Sequence, residues 1–395
     1  MKLMFPLALS LTFAAASVHA SSLTLLQAMA LLKEHPQWQA AQAFIEQSQA
    51  DRITAGQYLN PSLDVVTETK DRQSLAMVFP VETPSVRQYR QLGADQGIEI
   101  ATQQALLVQR QLRTQIQRAY YQVVQRKQEM QLAKDELQLL EKLRDAVQLK
   151  VKVGESARYE GVKAEAEWLT SQTRYKASEQ QYLLARQQLG ELLGLSVVPE
   201  IADELPADSQ LCRIPKQSFD DLVAQYPLYQ AAKANLAKDQ AATRFEQALV
   251  TPQPTFTVGG EYEQGIERFK LGVNLPLPLF NQRDGQIASA RAKQKQSEAM
   301  VMSVERQLKQ DWSQAFIRYQ NANAQLVSYE SGLLKEAESA FQVAQAAYKY
   351  GERGILDFID AQHTLASVRR GYLTNQFERR YACMDIQQLT QAVGE

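Results

Sequence analysis

The chain contains two copies of one sequence pattern, and this internal repeat restricts the folds open to it more than any other feature. The segment 35–41 (His-Pro-Gln-Trp-Gln-Ala-Ala) is echoed at 226–232 by Tyr-Pro-Leu-Tyr-Gln-Ala-Ala. The segment 154–157 (Gly-Glu-Ser-Ala) is echoed at 351–354 by Gly-Glu-Arg-Gly, in the same order along the chain. We therefore expect two tandem structural repeats, 21–205 and 218–395, joined by a proline-containing linker at 206–217.

Each repeat is predicted to begin with a helix and continue into a β-hairpin. The first helices should stop at Asn60-Pro61 and at 251–254, where prolines interrupt the pattern. Strict apolar/polar alternation follows, which predicts hairpins at 62–82 and 255–278. Each predicted strand is close to the roughly 9–11 residues that a tilted strand needs to cross a bilayer. The apolar face of these segments carries Leu63, Val65, Leu75, Met77, Phe79, Phe256, Val258, Tyr262, Phe269, Leu271 and Val273.

Each repeat then continues into a very long helical pattern. Apolar residues recur from Val304 to Ala347 in steps of three and four, which predicts an unbroken heptad seam for another helix. The first repeat keeps this phase from Leu112 to Val151. A helix of about 65 residues would be roughly 100 Å long. Gly154 and Gly351 follow, and we expect each long helix to turn there into a second one. The predicted fold class is mostly α, with long antiparallel coiled helical hairpins and four β-strands per chain.

The N-terminus has the pattern of a secretory signal peptide, 1–20. Lys2 is followed by the apolar run Phe5–Val18 and by a small-residue cleavage site ending at Ala20. No later segment approaches the ~18 consecutive apolar residues of a membrane-spanning helix. The mature protein would therefore be soluble or cross a membrane as a β-barrel. Since small barrels start at about eight strands, four strands per chain would require at least two copies.

Two motifs add a family resemblance. One is the segment 272–280 (Gly-Val-Asn-Leu-Pro-Leu-Pro-Leu-Phe), followed by Asn281, Arg283 and Gly285; the other runs from Tyr348 through Gly351, Arg353 and Asp357 to Asp360. With the duplicated layout, they resemble the outer-membrane efflux proteins of the TolC type over essentially the whole mature chain. The segment 272–280 is similar to the heavy-metal cation efflux (CzcC-like) branch.

The resemblance implies an architecture and a set of partners. It implies a homotrimer in which the strands complete a trimeric 12-stranded barrel in outer-membrane lipid. The helical hairpins would form an α-barrel that extends into the periplasm and closes at its tip. A periplasmic adaptor (membrane fusion protein) and an inner-membrane RND-type pump would be the protein partners. The implied function is a passive exit duct, for heavy-metal cations or, as the alternative, for drugs or other small molecules.

The resemblance also assigns a periplasmic gate, with Gly154 and Gly351 as the turns at the tip. Tyr348, Arg353, Asp357 and Asp360 match positions that hold such ducts shut, and Asp357 and Asp360 share one helix face. Glu160 matches the acidic position of the first repeat, where Arg353 is its expected partner and Lys163 a second one. The alternative interpretation is that these are solvated charges on an exposed helix face.

Other functional classes find little support in the sequence. The formal net charge of −1 gives no indication of a nucleic-acid partner. Catalytic signatures are absent, so we predict no enzyme, no cofactor and no metal site. A periplasmic coiled-coil adaptor is the alternative from another class, although adaptors carry one helical hairpin rather than two. Cys212 and Cys383 are expected to be unpaired thiols, with a disulfide in an oxidising compartment as the alternative.

Overall fold

The structure is a computed structural model that describes residues 22–69, 72–196, 200–202 and 219–390. The predicted signal peptide at 1–20, the predicted linker at 206–217 and Cys212 lie outside the described residues. Cys383 is buried and disulfide-bonded, so the expectation of a free thiol is wrong for this residue.

The first repeat consists of short N-terminal helices, a β-hairpin and a helical hairpin. Its elements in chain order are α1 (Leu25–Ala30), a 3₁₀ turn (Leu31–Glu34), α2 (Pro36–Gly56), β1 (Ser62–Thr69), β2 (Arg72–Pro80), α3 (Pro84–Lys152) and α4 (Arg158–Leu193). Helix α3 contains 69 residues and is therefore about 100 Å long.

The second repeat has the same order. Its elements are α5 (Phe219–Gln225), α6 (Pro227–Ala248), β3 (Thr255–Glu263), β4 (Ile266–Asn274), α7 (Asp284–Ser328), a π-helical segment (Tyr329–Leu333), α8 (Leu334–Lys349) and α9 (Ile355–Thr390). The four strands and the long helical hairpins of the predicted fold class are confirmed. None of the described helices combines the length and the apolar character needed to cross a membrane.

The matched motifs at 35–41 and 226–232 start equivalent helices. His35 is the N-cap of α2 and Tyr226 the N-cap of α6, and a proline follows each in the first helical turn. Both helices end a few residues before the predicted stops, at Gly56 and Ala248. At the end of α2 the guanidinium groups of Arg87 and Arg90 bind the last carbonyls, which compensates for the helical hydrogen bonds lost there.

The four strands form one antiparallel sheet in the order β1-β2-β3-β4. Its register places the predicted apolar residues side by side on one face. Leu63 lies opposite Met77, Met77 opposite Val258, and Val258 opposite Leu271. On the other face Arg72 of β2 contacts glutamates of the neighbouring strands β1 and β3. Its Nε lies 3.1 Å from Oε1 of Glu261. The alternation is therefore a division of the sheet into an apolar and a polar face.

Neither face of this sheet is covered by the rest of the described chain. On the apolar face Leu63, Phe269, Leu271 and Val273 are each more than half exposed. The outer edges of β1 and β4 pair with no other strand among the described residues. A sheet of this kind has no core of its own within one copy.

The helices pack around α3, which contacts α2, α4, α6 and α9. In the body of the molecule, α3 contributes Leu112, Ile116 and Tyr120 to a core that also contains Phe377 of α9. A second core near the two helical turns contains Leu140, Leu143 and Val147 of α3. Of the seam predicted for the first repeat, six residues are buried: Leu112, Ile116, Val123, Ala133, Leu140 and Val147.

The seam predicted for the second repeat is only partly correct beyond residue 328, where Ala337 is buried as predicted but other positions are not. Gly332 leaves the helical region (φ 173°, ψ −34°) inside the π-helical segment. A π-helical turn holds one more residue than an α-helical turn, so the positions that follow are rotated around the helix axis. Leu333 and Ala340, predicted in the seam, are exposed, whereas Phe341 and Tyr348 pack into the core near the turns.

Candidate functional site

The two long helical hairpins turn at Gly154 and Gly351 with the same geometry. Both glycines have a positive φ, 80° at Gly154 and 77° at Gly351, which side chains with a Cβ rarely adopt. The amide of Glu155 donates to the carbonyl of Lys150 at 2.8 Å, and the amide of Glu352 to that of Ala347 at 2.9 Å. With the amide of each glycine bound to the carbonyl three residues earlier, both turns are Schellman motifs.

Next to these turns, a compact core joins both repeats. It contains Ala164 of α4, Ile355, Phe358 and Ile359 of α9 and the α3 residues named above, with Phe341 and Tyr348 packed against it. The rings of Phe341 and Phe358 lie 5.4 Å apart, and those of Tyr348 and Phe358 lie 5.8 Å apart. We call this set of residues the tip core. It fixes the second hairpin against the first.

The Tyr348 side chain is held by its ring rather than by its hydroxyl. Within the described chain the hydroxyl is buried without a hydrogen-bond partner. Burial raises the pKa of Tyr348, and the charge of nearby Glu160 raises it further. The Nζ of Lys150 lies 4.9 Å from the ring centre. Tyr348 and Glu160, both predicted gate residues, are therefore neighbours across the two repeats.

The other predicted gate residues lie on the exposed side of α9 and of the turn before it. Asp357 and Asp360 are both exposed, and Arg353 Nη1 lies 3.9 Å from Asp357 Oδ2. Within the described residues of this one chain, no ion pair joins Glu160 to Arg353. Lys163 does not pair with Glu160 either: its Nζ lies 2.8 Å from Glu167 Oε1, one turn further along α4. Spacings of three and of four residues both bring side chains together on a helix, and here Lys163 pairs with the buried carboxylate of Glu167.

Glu167 links the two repeats in a way that the sequence did not reveal. Its Oε2 lies 3.0 Å from Nε2 of His363 on α9, while Oε1 binds Lys163. Burial alone raises the pKa of Glu167, but the hydrogen bonds and charges of Lys163 and His363 outweigh burial and leave the pKa below its ordinary value. The ionised carboxylate is thus the form that connects α4 to α9.

A second buried carboxylate, Glu136 of α3, connects three helices. Its Oε1 accepts hydrogen bonds from Arg174 of α4 at 2.6 Å and from Gln362 of α9 at 3.1 Å. Its Oε2 accepts one from Arg370 of α9 at 3.2 Å. A buried charge needs such partners to offset the loss of hydration. Local sequence patterns do not reveal this cluster, because the partners are far from Glu136 along the chain.

The described residues near the turns combine exposed and buried charges. In the part of the chain that the structure describes, no group of three or more His, Cys, Asp or Glu side chains could hold a metal ion. The features present are exposed carboxylates beside a rigid turn and buried carboxylates that join helices.

Part of the chain is similar to a known protein family. Residues 219–395 match the model of the outer membrane efflux protein family. The chain is 25% identical to the cobalt-zinc-cadmium resistance protein CzcC of Cupriavidus metallidurans over 324 residues, which cover 80% of this chain and 77% of that protein.

Solved structures extend the likeness to nearly the whole chain. CusC, whose structures concern folding and transmembrane channel formation, superposes with a TM-score of 0.83 at 16% identity, covering 93% of this chain and 92% of CusC. The CmeC outer membrane channel of Campylobacter jejuni gives 0.80 at 13% identity, covering 98% and 93%. Residues 219–395 thus resemble the outer membrane efflux protein family, and the chain as a whole has the fold of these outer-membrane channels.

Proposed function

We propose that three copies of this chain form a passive outer-membrane duct that exports heavy-metal cations. A periplasmic adaptor and an inner-membrane RND-type pump would supply the substrate and the energy. The observation that carries the proposal is a four-stranded sheet with an uncovered apolar face and two open edges. Unpaired backbone groups are excluded from hydrocarbon, so such a sheet enters a bilayer only as part of a closed barrel. The number three comes from the resemblance to TolC-type proteins.

The rest of the fold suits a duct. The polar face of the sheet carries charged side chains, including Arg72, Glu261 and Lys270, which would line a water-filled lumen. Helix α3 is about 100 Å long, far longer than the ~30 Å of a bilayer core. The helical hairpins would therefore continue the lumen into the periplasm.

Heavy-metal cations are proposed as the substrate for two reasons. The relative CzcC is named for resistance to cobalt, zinc and cadmium. The second reason is the pair of carboxylates, Asp357 and Asp360, exposed on the same part of α9. Around a threefold axis these would form two stacked acidic rings, and acidic rings favour the passage of cations.

The gate of this duct is proposed to be the second helical hairpin next to its turn. Tyr348 would hold it through the tip core, while Arg353, Asp357 and Glu160 would hold it through charge. Since Arg353 and Asp357 are exposed within one copy, their full effect would depend on the neighbouring copies. Opening would require α8 and the start of α9 to move away from α3 and α4.

The gate is tested by single-channel conductance of the purified protein in a planar bilayer. Arg353→Ala and Asp357→Ala should each raise the resting conductance, because each removes a charge that holds the closed hairpin. Arg369→Ala is the matched control, since Arg369 forms an exposed ion pair with Glu338 on the same hairpin but away from the turn. Resting conductance that stays unchanged in both test variants would contradict the gate assignment.

The substrate is tested by growth of a deletion strain, complemented with the wild-type gene as the control. We expect sensitivity to divalent cobalt, zinc, cadmium or copper, with unchanged tolerance of organic antibiotics and dyes. Sensitivity to organic compounds alone would keep the duct and assign it to drug efflux. Wild-type tolerance of all compounds would contradict a role in efflux under those conditions.

A further inference from the structure

Two exposed apolar segments flank the open edges of the sheet. The first comprises residues 57–61, between α2 and β1, where Tyr58 is 73% exposed and Leu59 is 52% exposed. The second comprises residues 275–280, after β4, where Leu277 and Leu279 are more than 60% exposed and Phe280 is fully exposed. We call them the entry segment (57–61) and the exit segment (275–280).

Both segments lie at the same end of the sheet. The end of β4, Asn274, pairs with Thr255 at the start of β3, and Thr255 pairs with Pro80 at the end of β2. The start of β1, Ser62, pairs with Val78 of β2, close to this end. One open edge therefore begins at the entry segment, and the other ends at the exit segment.

The entry segment is positioned by arginines of α3. Arg87 Nη1 donates to the Tyr58 hydroxyl at 2.9 Å, and its guanidinium lies 4.0 Å from the centre of the Tyr58 ring. Arg90 Nη2 donates to the carbonyl of Gln57 at 2.9 Å. Tyr58 is thus held in an exposed position by interactions within its own chain.

The chain just after the exit segment is positioned in a similar way. The backbone amide of Arg283 donates to Asn281 Oδ1 at 3.0 Å, and Arg283 Nε lies 3.0 Å from Glu246 Oε2 on α6. These contacts anchor the connection to α7 while Leu279 and Phe280 remain exposed. An apolar surface displayed in this way is typical of a contact with another molecule.

The middle of the sheet shows how such segments meet. There the residues after β2 contact the residues before β3. The amide of Val81 donates to the carbonyl of Pro254 at 2.9 Å, and the amide of Thr83 donates to Oε1 of Gln253 at 2.6 Å. This junction joins the end of the first repeat's hairpin to the start of the second repeat's hairpin.

Because the chain is a repeat, we expect a second junction of this kind, between the open edge of β4 and the open edge of β1. Pro61 matches Pro254, and the hairpin registers match Val78, opposite Ser62, to Asn274, opposite Thr255. Val81 after β2 therefore corresponds to Leu277 in the exit segment, and each follows a proline. Adjacent strands alternate in direction, so β4 of one copy meets β1 of the next antiparallel. The same junction would then recur between copies, with Leu277 opposite Pro61 of the next copy.

We propose that the exit segment of one copy binds the entry segment of the next and closes the subunit seam at this end of the sheet. The proposal rests on the proposed multi-copy duct and adds the residues that join its subunits. The Leu277 amide donates to the carbonyl of Pro61 in the next copy, as the Val81 amide does to that of Pro254 within one copy. Leu277, Leu279 and Phe280 cover Tyr58 and Leu59, which removes apolar surface from water on both sides.

Disulfide cross-linking of the full-length protein in outer-membrane fractions tests the register of the seam. Directly opposite residues of an antiparallel pair have Cβ atoms about 4.5–5.5 Å apart, a distance that oxidation can bridge with little movement. The double variant Pro61→Cys/Leu277→Cys should give a covalent oligomer on oxidation, and reduction should reverse it. The control Pro61→Cys/Ile266→Cys should give none, because Ile266 lies at the opposite end of β4.

The outcomes separate this inference from the proposed function. An oligomer captured by a general amine cross-linker, without the disulfide product, would overturn the seam contact and keep the multi-copy duct. A monomer in both assays would overturn both proposals.

A second pair of variants tests the apolar contact. Leu279→Ser/Phe280→Ser should lower the temperature at which the oligomer dissociates on gels, whereas Ile266→Ser, an exposed apolar residue at the far end of the sheet, should leave it unchanged. Equal dissociation temperatures in all variants would show that these residues face lipid, and would overturn the apolar part of the contact.

Discussion

The buried hydroxyl of Tyr348 separates two explanations of how this residue holds the second hairpin. The resemblance assigns Tyr348 to a gate, and a hydrogen bond from its hydroxyl would be the obvious mechanism. Within the described chain the hydroxyl has no partner, whereas the ring packs on Phe358. The structure therefore favours apolar packing as the holding force.

This difference predicts opposite results for two substitutions. Tyr348→Phe should keep the hairpin closed and stabilise it by up to about 1 kcal/mol, because an unpaired buried polar group is removed. Tyr348→Ala should cost about 2 kcal/mol, less than the loss of a fully buried ring, and raise both resting conductance and cleavage near residue 351 by protease. An open channel in Tyr348→Phe would instead show that the hydroxyl binds a residue of a neighbouring copy.

The link between Glu167 and His363 predicts a dependence on pH. The pKa of Glu167 is lowered in the folded chain, so its contribution to closure is fully present above the ordinary carboxyl value of about 4 and is lost as the pH falls through the lowered value. Resting conductance should therefore rise at the acid end of a titration from pH 7 to pH 3.

Glu167→Gln is the matched control for this titration, because it removes the ionisable group and keeps the shape of the side chain. Its conductance should be higher than that of the wild type at pH 7 and should change less over the acid range. An identical acid response in both proteins would assign the effect to other carboxylates, such as Asp357 and Asp360.

At the scale of elements, the two turns depend on glycine for a conformational reason alone. A Cβ at Gly351 would meet no atom within 4 Å, yet its φ of 77° is unfavourable for other residues. Gly351→Ala should therefore cost roughly 1–2 kcal/mol. The population of locally opened turn should rise by a factor of about 5–30, measured by amide hydrogen exchange at residues 350–355.

Gly354 provides the control in the same turn. A Cβ there also meets no atom within 4 Å, and Gly354 is not among the described glycines with positive φ. Gly354→Ala should leave hydrogen exchange at the turn close to that of the wild type. Equal effects of the two substitutions would argue against strain at Gly351 as the cause.

The elements also show how far local sequence patterns predict this fold. Period-two alternation identified all four strands, because each strand has one apolar and one polar face that a short segment reveals. The heptad pattern identified α3 and α7 but missed the π-helical segment at Tyr329–Leu333. The Tyr329 hydroxyl occupies the space where a Cβ at residue 371 would stand, at 2.3 Å from it, so Gly371 makes room for this ring. Such a contact between distant residues leaves no periodic trace around residue 332.

Only part of the candidate site could be predicted from the sequence, because contacts between distant residues leave no local pattern. The turn glycines and the charged residues around Arg353 stand out within one short motif. Glu136 and Glu167 do not, since their partners on α9 lie in the other repeat. The expected pairing of Lys163 with Glu160 was wrong, because Lys163 pairs with Glu167, whose other carboxylate oxygen contacts His363 of the second repeat.

At the scale of the whole molecule, the proposed duct assigns one face of the sheet to lipid. Val258 lies on the apolar face and Thr257, its neighbour at nearly the same depth, on the polar face. Val258→Arg should destabilise the membrane-inserted protein by about 2–4 kcal/mol if it lies near the bilayer midplane. Thr257→Arg should have a much smaller effect, because its side chain faces the lumen.

The measurement for this pair is the yield of heat-resistant oligomer in outer-membrane fractions. We expect a large loss for Val258→Arg and a near-normal yield for Thr257→Arg. The reverse order would show that the faces are exchanged, with the charged side chains outside.

The sheet with no core of its own also has a consequence for biogenesis. In the proposed duct the strands of each chain are completed only by other copies, which stabilise it by mass action. Its stability therefore decreases when the subunit concentration decreases, as well as when the temperature rises. A newly exported copy would carry its apolar strands uncovered through an aqueous compartment, in a form prone to aggregation. The helical hairpins, which have buried cores within a single chain, can form first and leave the strands to order only when copies meet at the membrane.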